Sequence, residues 1–393
     1  MSFRTIIRFN TTQIAIFALI PEMVMYLSHL KIENFKNYEA VELTLQQGLV
    51  CFTGPNGAGK TNLLDAIYDL CTGKSYFNSI DQQLIRDGAD YFSIKGEFEK
   101  NNVNESVLCV VMKGRKKVIK RNDDAYTRLI DHYGVFPVVM VAPGDMELII
   151  GGSEERRKWI DSAISLLNKD YLVALLKYDK LLQQRNAELR KMALEPQNQS
   201  LELIKIYDSM IIPVAEEIYN VRNRFSKDFM PFFEDYYQQI SEKKEKVSFS
   251  YQSEMHIDTI PQLLEKSIKK DMILQRTNVG PHRDDLEFLI GERPLKKFGS
   301  QGQQKTFLLA LKLAERQFIT SVSGQIPILL LDDVCERLDG HRLHVLFRLI
   351  QEREPTGQVF LSDTSAERVT SYLETNTVVQ MYHVNKGNLT EGK

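Results

Sequence analysis

The segment GPNGAGKT, Gly54 to Thr61, constrains this chain more than any other stretch. It fits the pattern G-x-x-x-x-G-K-[ST], follows the apolar run GLVCFT and opens the helical run NLLDAIYDL. That strand–loop–helix context is what a phosphate loop needs. Glycines let the backbone curl so that its N–H groups and the helix N-terminus surround phosphate oxygens. Gly54, Pro55, Asn56, Gly57, Ala58 and Gly59 are therefore expected to form the cradle. Lys60 is expected to reach the outer phosphates, and the Thr61 hydroxyl to ligate Mg²⁺. The fold class that follows is α/β.

A second motif lies far downstream. ILLLDD, Ile328 to Asp333, reads as a strand buried on both faces that ends in two carboxylates. In open α/β sheets such strand ends face the ligand. Asp332 is expected to serve the metal through its outer shell, and Asp333 to orient or deprotonate an attacking water. A third motif is KKFGSQGQQKTFLLAL, where Ser300 should cap a helix. Gly299 and Gly302 beside it are expected to admit a close visitor to the exposed backbone N–H groups.

Composition narrows the class. The 393 residues are 43% hydrophobic and 26% charged, enough for two or three domains. A net charge of −2 excludes binding to nucleic acid by bulk charge and requires a local patch instead. Cys51, Cys71, Cys109 and Cys335 have neither metal spacing nor a disulfide framework, so a reducing, cytoplasmic setting is expected. No segment approaches the roughly 20 apolar residues of a membrane span. Residues 1–24 match no motif and read as an extension before a working start at Met25.

Periodicity divides the remainder. Residues 25–153 form the first part of an α/β head and residues 271–393 its second part. Between them, 154–270 reads as two amphipathic helical runs joined by PQNQS, a short antiparallel coiled-coil-like arm. The first run is expected to be one long helix from Glu154. The second should be kinked or divided at Pro213 and Pro231.

The Ser300 element, upstream of an acidic strand and paired with a phosphate loop, resembles the signature of ABC-type ATPases. In that class this helix end, with Ser300, Gly302 and Gln303, binds the γ-phosphate held by a second subunit. The ordered set IENFKNY, GPNGAGKTNLLDAIY, GGSEERRKWID, TNVGPHRDDL, GSQGQQKT and LLLDDVCERLD resembles the RecF family across the chain from Met25. The resemblance implies an ABC-type head with an SMC-like helical insert, ATP and Mg²⁺ as cofactors, and Asp339 in the loop after the acidic strand. It further implies an ATP-dependent homodimer that binds single- and double-stranded DNA near gaps and junctions. With RecR and RecO it would promote RecA loading and the SOS response. Two other classes fit a phosphate loop: the ATPase part of an overcoming-lysogenisation-type nuclease, and a transporter motor. Too little chain follows Asp333 for the first, and the long insert opposes the second.

Departures from the family pattern bear on turnover. Lys36 stands where the family has Arg, and Asp333 is one methylene shorter than the usual glutamate. Ser362 or Asp363 occupies the place of a switch histidine, and VAPGDMEL contains no glutamine. A weak, timer-like ATPase is expected, with Lys60, Asp332 and Asp333 as its catalytic groups. For DNA, KGRKKVIKR has six basic residues in nine. Arg115, Lys116, Lys117, Lys120 and Arg121 either contact phosphates or line a solvated hairpin. Arg156, Arg157 and Lys158 either join them or pair with Glu154 and Glu155.

Overall fold

The computed structural model describes residues 24–100, 103–194, 201–241, 245–336, 338–352, 357–373 and 377–392. The proposed extension before Met25 and the PQNQS turn therefore lie outside the described residues, apart from Val24. In chain order, β1 (Met25–Phe35), β2 (Tyr38–Thr44) and β3 (Leu49–Thr53) lead to α1 (Lys60–Thr72). Then come β4 (Tyr91–Lys100), β5 (Val103–Met112), β6 (Val118–Arg121), β7 (Asp124–Ala125) and β8 (Val138–Val141). A helical region follows: α2 (Met146–Ile150), α3 (Ser153–Leu167), α4 (Lys169–Leu194) and α5 (Glu202–Ile240). Next are β9 (Val247–Gln252), α6 (Ile260–Leu274), β10 (Asp285–Ile290), β11 (Arg293–Pro294) and α7 (Leu295–Phe298). The chain continues through α8 (Gln301–Ser323), β12 (Ile328–Leu331), α9 (Gly340–Glu352), β13 (Val359–Asp363), α10 (Ala366–Thr370), β14 (Val379–Asn385) and β15 (Asn388–Glu391).

Two six-stranded sheets enclose α1. One is antiparallel, in the order β2-β1-β4-β5-β6-β7; the other runs β15-β14-β3-β13-β12-β8 and is parallel except for β15. Successive side chains of a strand face opposite ways, and both faces of the parallel sheet are covered. Val50, Phe52, Leu330 and Phe360 pack toward α1 and the antiparallel sheet. Leu49, Cys51, Leu331 and Leu361 pack toward the helices on the other side. Because α1 is buried on every side, it carries Asp65 and Asp69 into the core, both with 0% exposure. Those two carboxylates need partners, and they find them in lysines.

The helical insert differs from the expected arm. Its first run breaks at Asn168, whose backbone is extended and whose side chain accepts the N–H of Tyr171. The second run is one 39-residue helix, continuous through Pro213 and Pro231. Each proline costs about 3 kcal/mol in a helix interior. Buried neighbours on both sides, Ile211, Val214 and Ala215, then Phe229 and Phe233, offset that cost. The second half of α5 packs on α8 through Phe229, Phe233 and Tyr237, in one core with the head. Helix α6 runs across residue 270, and β9 pairs with β10 in full register. The insert is thus a lobe fused to the head.

The motif TNVGPHRDDL is the seam of that fusion. Asp285 takes the Arg156 guanidinium at 2.7 and 3.0 Å, and the Asp284 carbonyl takes Arg157 at 2.7 Å. Thr277 accepts from the fully buried Arg185 of α4. Tyr178 meets His282 Nδ1 at 2.8 Å, while His282 Nε2 faces the Thr277 carbonyl at 3.1 Å. A carbonyl only accepts, so Nε2 carries the proton and Nδ1 accepts from the tyrosine. Burial lowers the His282 pKa to about 4, and the ring stays neutral.

Candidate functional site

The carboxyl edge of the parallel sheet gathers the expected groups. Leu331 lies beside Leu361, and Asp363 beside Thr53, so the ends of β12, β13 and β3 line up. Gly54 leaves β3 at φ 148° and donates its N–H to the Asp363 carbonyl. A Cβ on Gly54 would lie 2.1 Å from the Val384 carbonyl oxygen, so only glycine fits. At Gly59, φ 118°, a Cβ would meet Asn37 and the Tyr38 hydroxyl within 2.6 Å. The Ala58 carbonyl is held from above by the N–H of Gly387 and the side chain of Asn37. Two remote turns, β1–β2 and β14–β15, and the strands β13 and β14 thereby shape one loop.

Lys60 is buried, and its ammonium bonds the carbonyls of Gly54 and Pro55 at 2.8 and 3.1 Å. Helix α1 has no side-chain cap and no acid in its first turn. Its N–H groups remain available to an anion. Across the site, the Thr61 hydroxyl lies 2.9 and 3.1 Å from the two oxygens of Asp332. Ser362 Oγ donates to Asp332 at 2.7 Å and accepts the N–H of Asp333 at 2.9 Å. Burial raises the Asp332 pKa, opposed by Ser362 and Thr61. Asp333 sits at φ 48°, a strained conformation for a non-glycine residue.

One hydroxyl and one carboxylate suit Mg²⁺, which binds few protein ligands and completes its shell with phosphate and water. Among the described residues no cluster of three His, Cys, Asp or Glu side chains forms a self-sufficient metal site. The residues present therefore fit a cation that arrives with a phosphate ligand. Lys36, in the turn above the loop, is tied to Asp65 at 2.6 Å and lies over the rings of Phe35 and Phe77.

Ser300, Gly302, Gln303 and Asp339 assemble elsewhere. Ser300 caps α8, accepting the N–H of Gln303, while the Gln303 side chain accepts the N–H of Ser300. A Cβ on Gly302 would stand 3.0 Å from the guanidinium of Arg342 in the same chain. Arg342 also bonds Thr306 at 2.6 Å and pairs with Asp339. With Tyr237, Ile240 and Glu245 these residues line a cavity of about 360 Å³. Arg342 and Glu245 belong to no motif, and only their approach in space identifies them.

The basic hairpin splits in two. Arg115 and Lys116 are exposed and Lys120 is half-buried. Arg121 is paired with Glu105 at 2.5 Å. Lys117 is not a surface residue: its ammonium is buried between Asp69 at 2.7 Å and Asp81 at 2.8 Å. Alternation gives the reason, since residue 117 shares the inward face with Ile119 and lies over the two acids. Lys158 pairs with Glu154 and Glu155, as one reading of the sequence had it, whereas Arg156 and Arg157 serve the lobe seam.

Residues 26–390 match the family model described as the RecF/RecN/SMC N terminal domain. A DNA replication and repair protein RecF of Flavobacterium johnsoniae is 43% identical over 344 residues, covering 88% of this chain and 95% of its own. The Bacteroides fragilis protein of that name is 40% identical over 369 residues, covering 93% and 98%. A solved structure of the recombination mediator protein RecF with ATP, in the RecFOR pathway, superposes with a TM-score of 0.84 at 29% identity, covering 94% of this chain and 98% of that one. An Smc head domain from Pyrococcus furiosus shares the fold, with a TM-score of 0.56 at 18% identity over 94% of this chain and 96% of that one. No described helix is long and apolar enough to cross a membrane. With a family model spanning nearly the whole chain and relatives above 30% identity over most of it, this chain belongs to the RecF family of DNA replication and repair proteins.

Proposed function

We propose that the chain is a cytoplasmic ATP-dependent DNA-binding protein of replication and recombinational repair, closed into a homodimer by ATP. The observation that carries this reading is the separation of its motifs. Lys60, Thr61 and Asp332 converge in one site, while the exposed start of α8 makes no hydrogen bond to the phosphate loop among the described residues. A helix end of that kind suits a phosphate brought by a second copy.

In this reading the N–H groups at the start of α1 hold the phosphates. Lys60 would exchange its carbonyl partners for phosphate oxygens. Thr61 and Asp332 would hold Mg²⁺, which would supply neutralisation of phosphate charge. Asp333 orients the attacking water, and its short side chain and strained backbone favour slow turnover. Ser300 and the first turn of α8 meet the γ-phosphate of the partner copy, with Asp339 at the rim. Arg115, Lys116 and Lys120 are the proposed DNA phosphate contacts, on single and double strands near gaps. The relative solved within the RecFOR pathway supports RecR and RecO as partners. RecA loading and the SOS response would lie downstream of that assembly.

Ser300→Arg tests this directly. A long cation there would block the approach of a partner's nucleotide, whereas the Lys60 pocket is untouched. ATP binding measured by fluorescence should persist, and ATP-dependent dimerisation measured by light scattering should be lost. Normal dimerisation of this variant would reduce Ser300 to a helix cap.

A further inference from the structure

The side-chain amide of Gln303 is gripped from two directions. Its Oε1 accepts the N–H of Ser300 at 2.6 Å, and its Nε2 donates to Glu245 Oε1 at 2.6 Å. A backbone N–H only donates and an ionised carboxylate only accepts. The pair therefore dictates which way the amide faces, and only that orientation closes the capping box around Ser300. The second oxygen of Glu245 accepts the Tyr237 hydroxyl at 2.7 Å. Tyr237 sits in the last turn of α5 and packs on Phe307 of α8. Burial and Glu245 together raise the Tyr237 pKa, so it remains a donor.

We propose that Glu245 is a positioning residue for the composite nucleotide site. From the junction between α5 and β9 it locks Gln303 into the capping box, and so keeps the Ser300 hydroxyl and the first turn of α8 in the shape a partner's γ-phosphate meets. The inference rests on the trans reading given above and adds a connection to it. Through Tyr237, a displacement at the end of α5 reaches the start of α8 across two hydrogen bonds. The helical lobe thereby gains a direct hold on dimer closure, although Glu245 itself touches neither the phosphate loop nor Asp332.

A charge exchange tests it in the full chain. Gln303→Glu sets two carboxylates against each other at the 2.6 Å contact. Repulsion from Glu245 drives the new carboxylate out of the capping box, so the concentration needed for half-dimerisation in ATP should rise roughly 3- to 30-fold, the size of a lost helix cap. Adding Glu245→Gln to that variant places the amide on the other side and restores both hydrogen bonds. A glutamate at the third helical position still closes a capping box. Dimerisation should then recover to within about threefold of the unmodified protein, a margin comparable to one weak hydrogen bond. No recovery in the double variant overturns the proposal, as does a matching loss of monomer ATP affinity in Gln303→Glu. If the unmodified protein fails to dimerise with ATP, the trans reading falls. The brace is then judged by amide hydrogen exchange at Ser300, which must accelerate in Glu245→Ala. Unchanged exchange there overturns it.

Discussion

Helices α1 and α8 start in similar ways and end up in opposite situations. Each follows a glycine-bearing turn, and neither has an acid in its first turn. At α1 the preceding residue is Gly59 in a left-handed conformation, with no side-chain cap, enclosed by Tyr38 and Asn37. At α8 it is Ser300 in an extended conformation with a complete capping box, exposed to solvent. An uncapped helix end needs a ligand for its N–H groups, and α1 has built a pocket to hold one. A capped end is satisfied alone and can stand exposed until something docks. Under the proposed function, the difference separates a nucleotide-binding end from a nucleotide-recognising end within one chain.

The contrast can be broken first at the far end of α1, where Asp69 is paired with Lys117. Lys117→Met leaves a buried carboxylate without its cation and should cost about 3–5 kcal/mol in urea unfolding at neutral pH. Burial already raises Asp69 to about 6 despite Lys117, and removing the lysine raises it further. A carboxyl with a raised folded pKa is least unfavourable when protonated, so the loss should shrink as pH falls from 8 to 5. A loss independent of pH would mean that Asp69 is not the responsible partner. Lys116→Ala, one residue away and exposed, should leave unfolding unchanged. It should instead lower the log–log salt slope of duplex binding by about 0.9.

Next in size is Lys60→Met. Removing charge-assisted hydrogen bonds worth about 1.5–3 kcal/mol should weaken ATP binding roughly 10- to 150-fold. Titration calorimetry reads this directly. ATP affinity within threefold of the unmodified protein would place the nucleotide elsewhere.

The smallest effect is expected at Ser362→Ala, which removes a donor from Asp332 and the acceptor of the Asp333 N–H. Single-turnover hydrolysis should slow about three- to tenfold, the equivalent of about 1 kcal/mol, with ATP affinity shifting less. An unaltered rate would detach Ser362 from the reaction.

What could be read from sequence was whatever a short contiguous segment encodes. The phosphate loop, the acidic end of β12 and the Ser300 cap are each set by neighbouring residues, and each stands where the sequence places it. Properties that depend on distant packing were hidden. Pro213 and Pro231 read as kinks or divisions because the aromatic packing of α5 on α8 lies in other segments. The partner of β9 lies beyond the proposed boundary, at Asp285 to Ile290. Lys117 was legible in retrospect: strand alternation turns it inward, and Asp65 and Asp69 fall one helical turn apart on α1. Glu245 and Arg342 had no local signal at all, since one meets Gln303 and the other Gly302 across long stretches of chain.

The carbonyl of Val384 pressed against Gly54 has a consequence for how the protein is made. The strand carrying the phosphate loop lies between β13 and β14, two of the last three strands to emerge from the ribosome. Every atom of the loop exists once Thr61 has been added, yet both flanking strands are still missing. At typical synthesis rates the wait is roughly 15–65 s. A nascent chain therefore carries the motif without the pocket, and nucleotide can be held only after nearly the whole polypeptide has been translated.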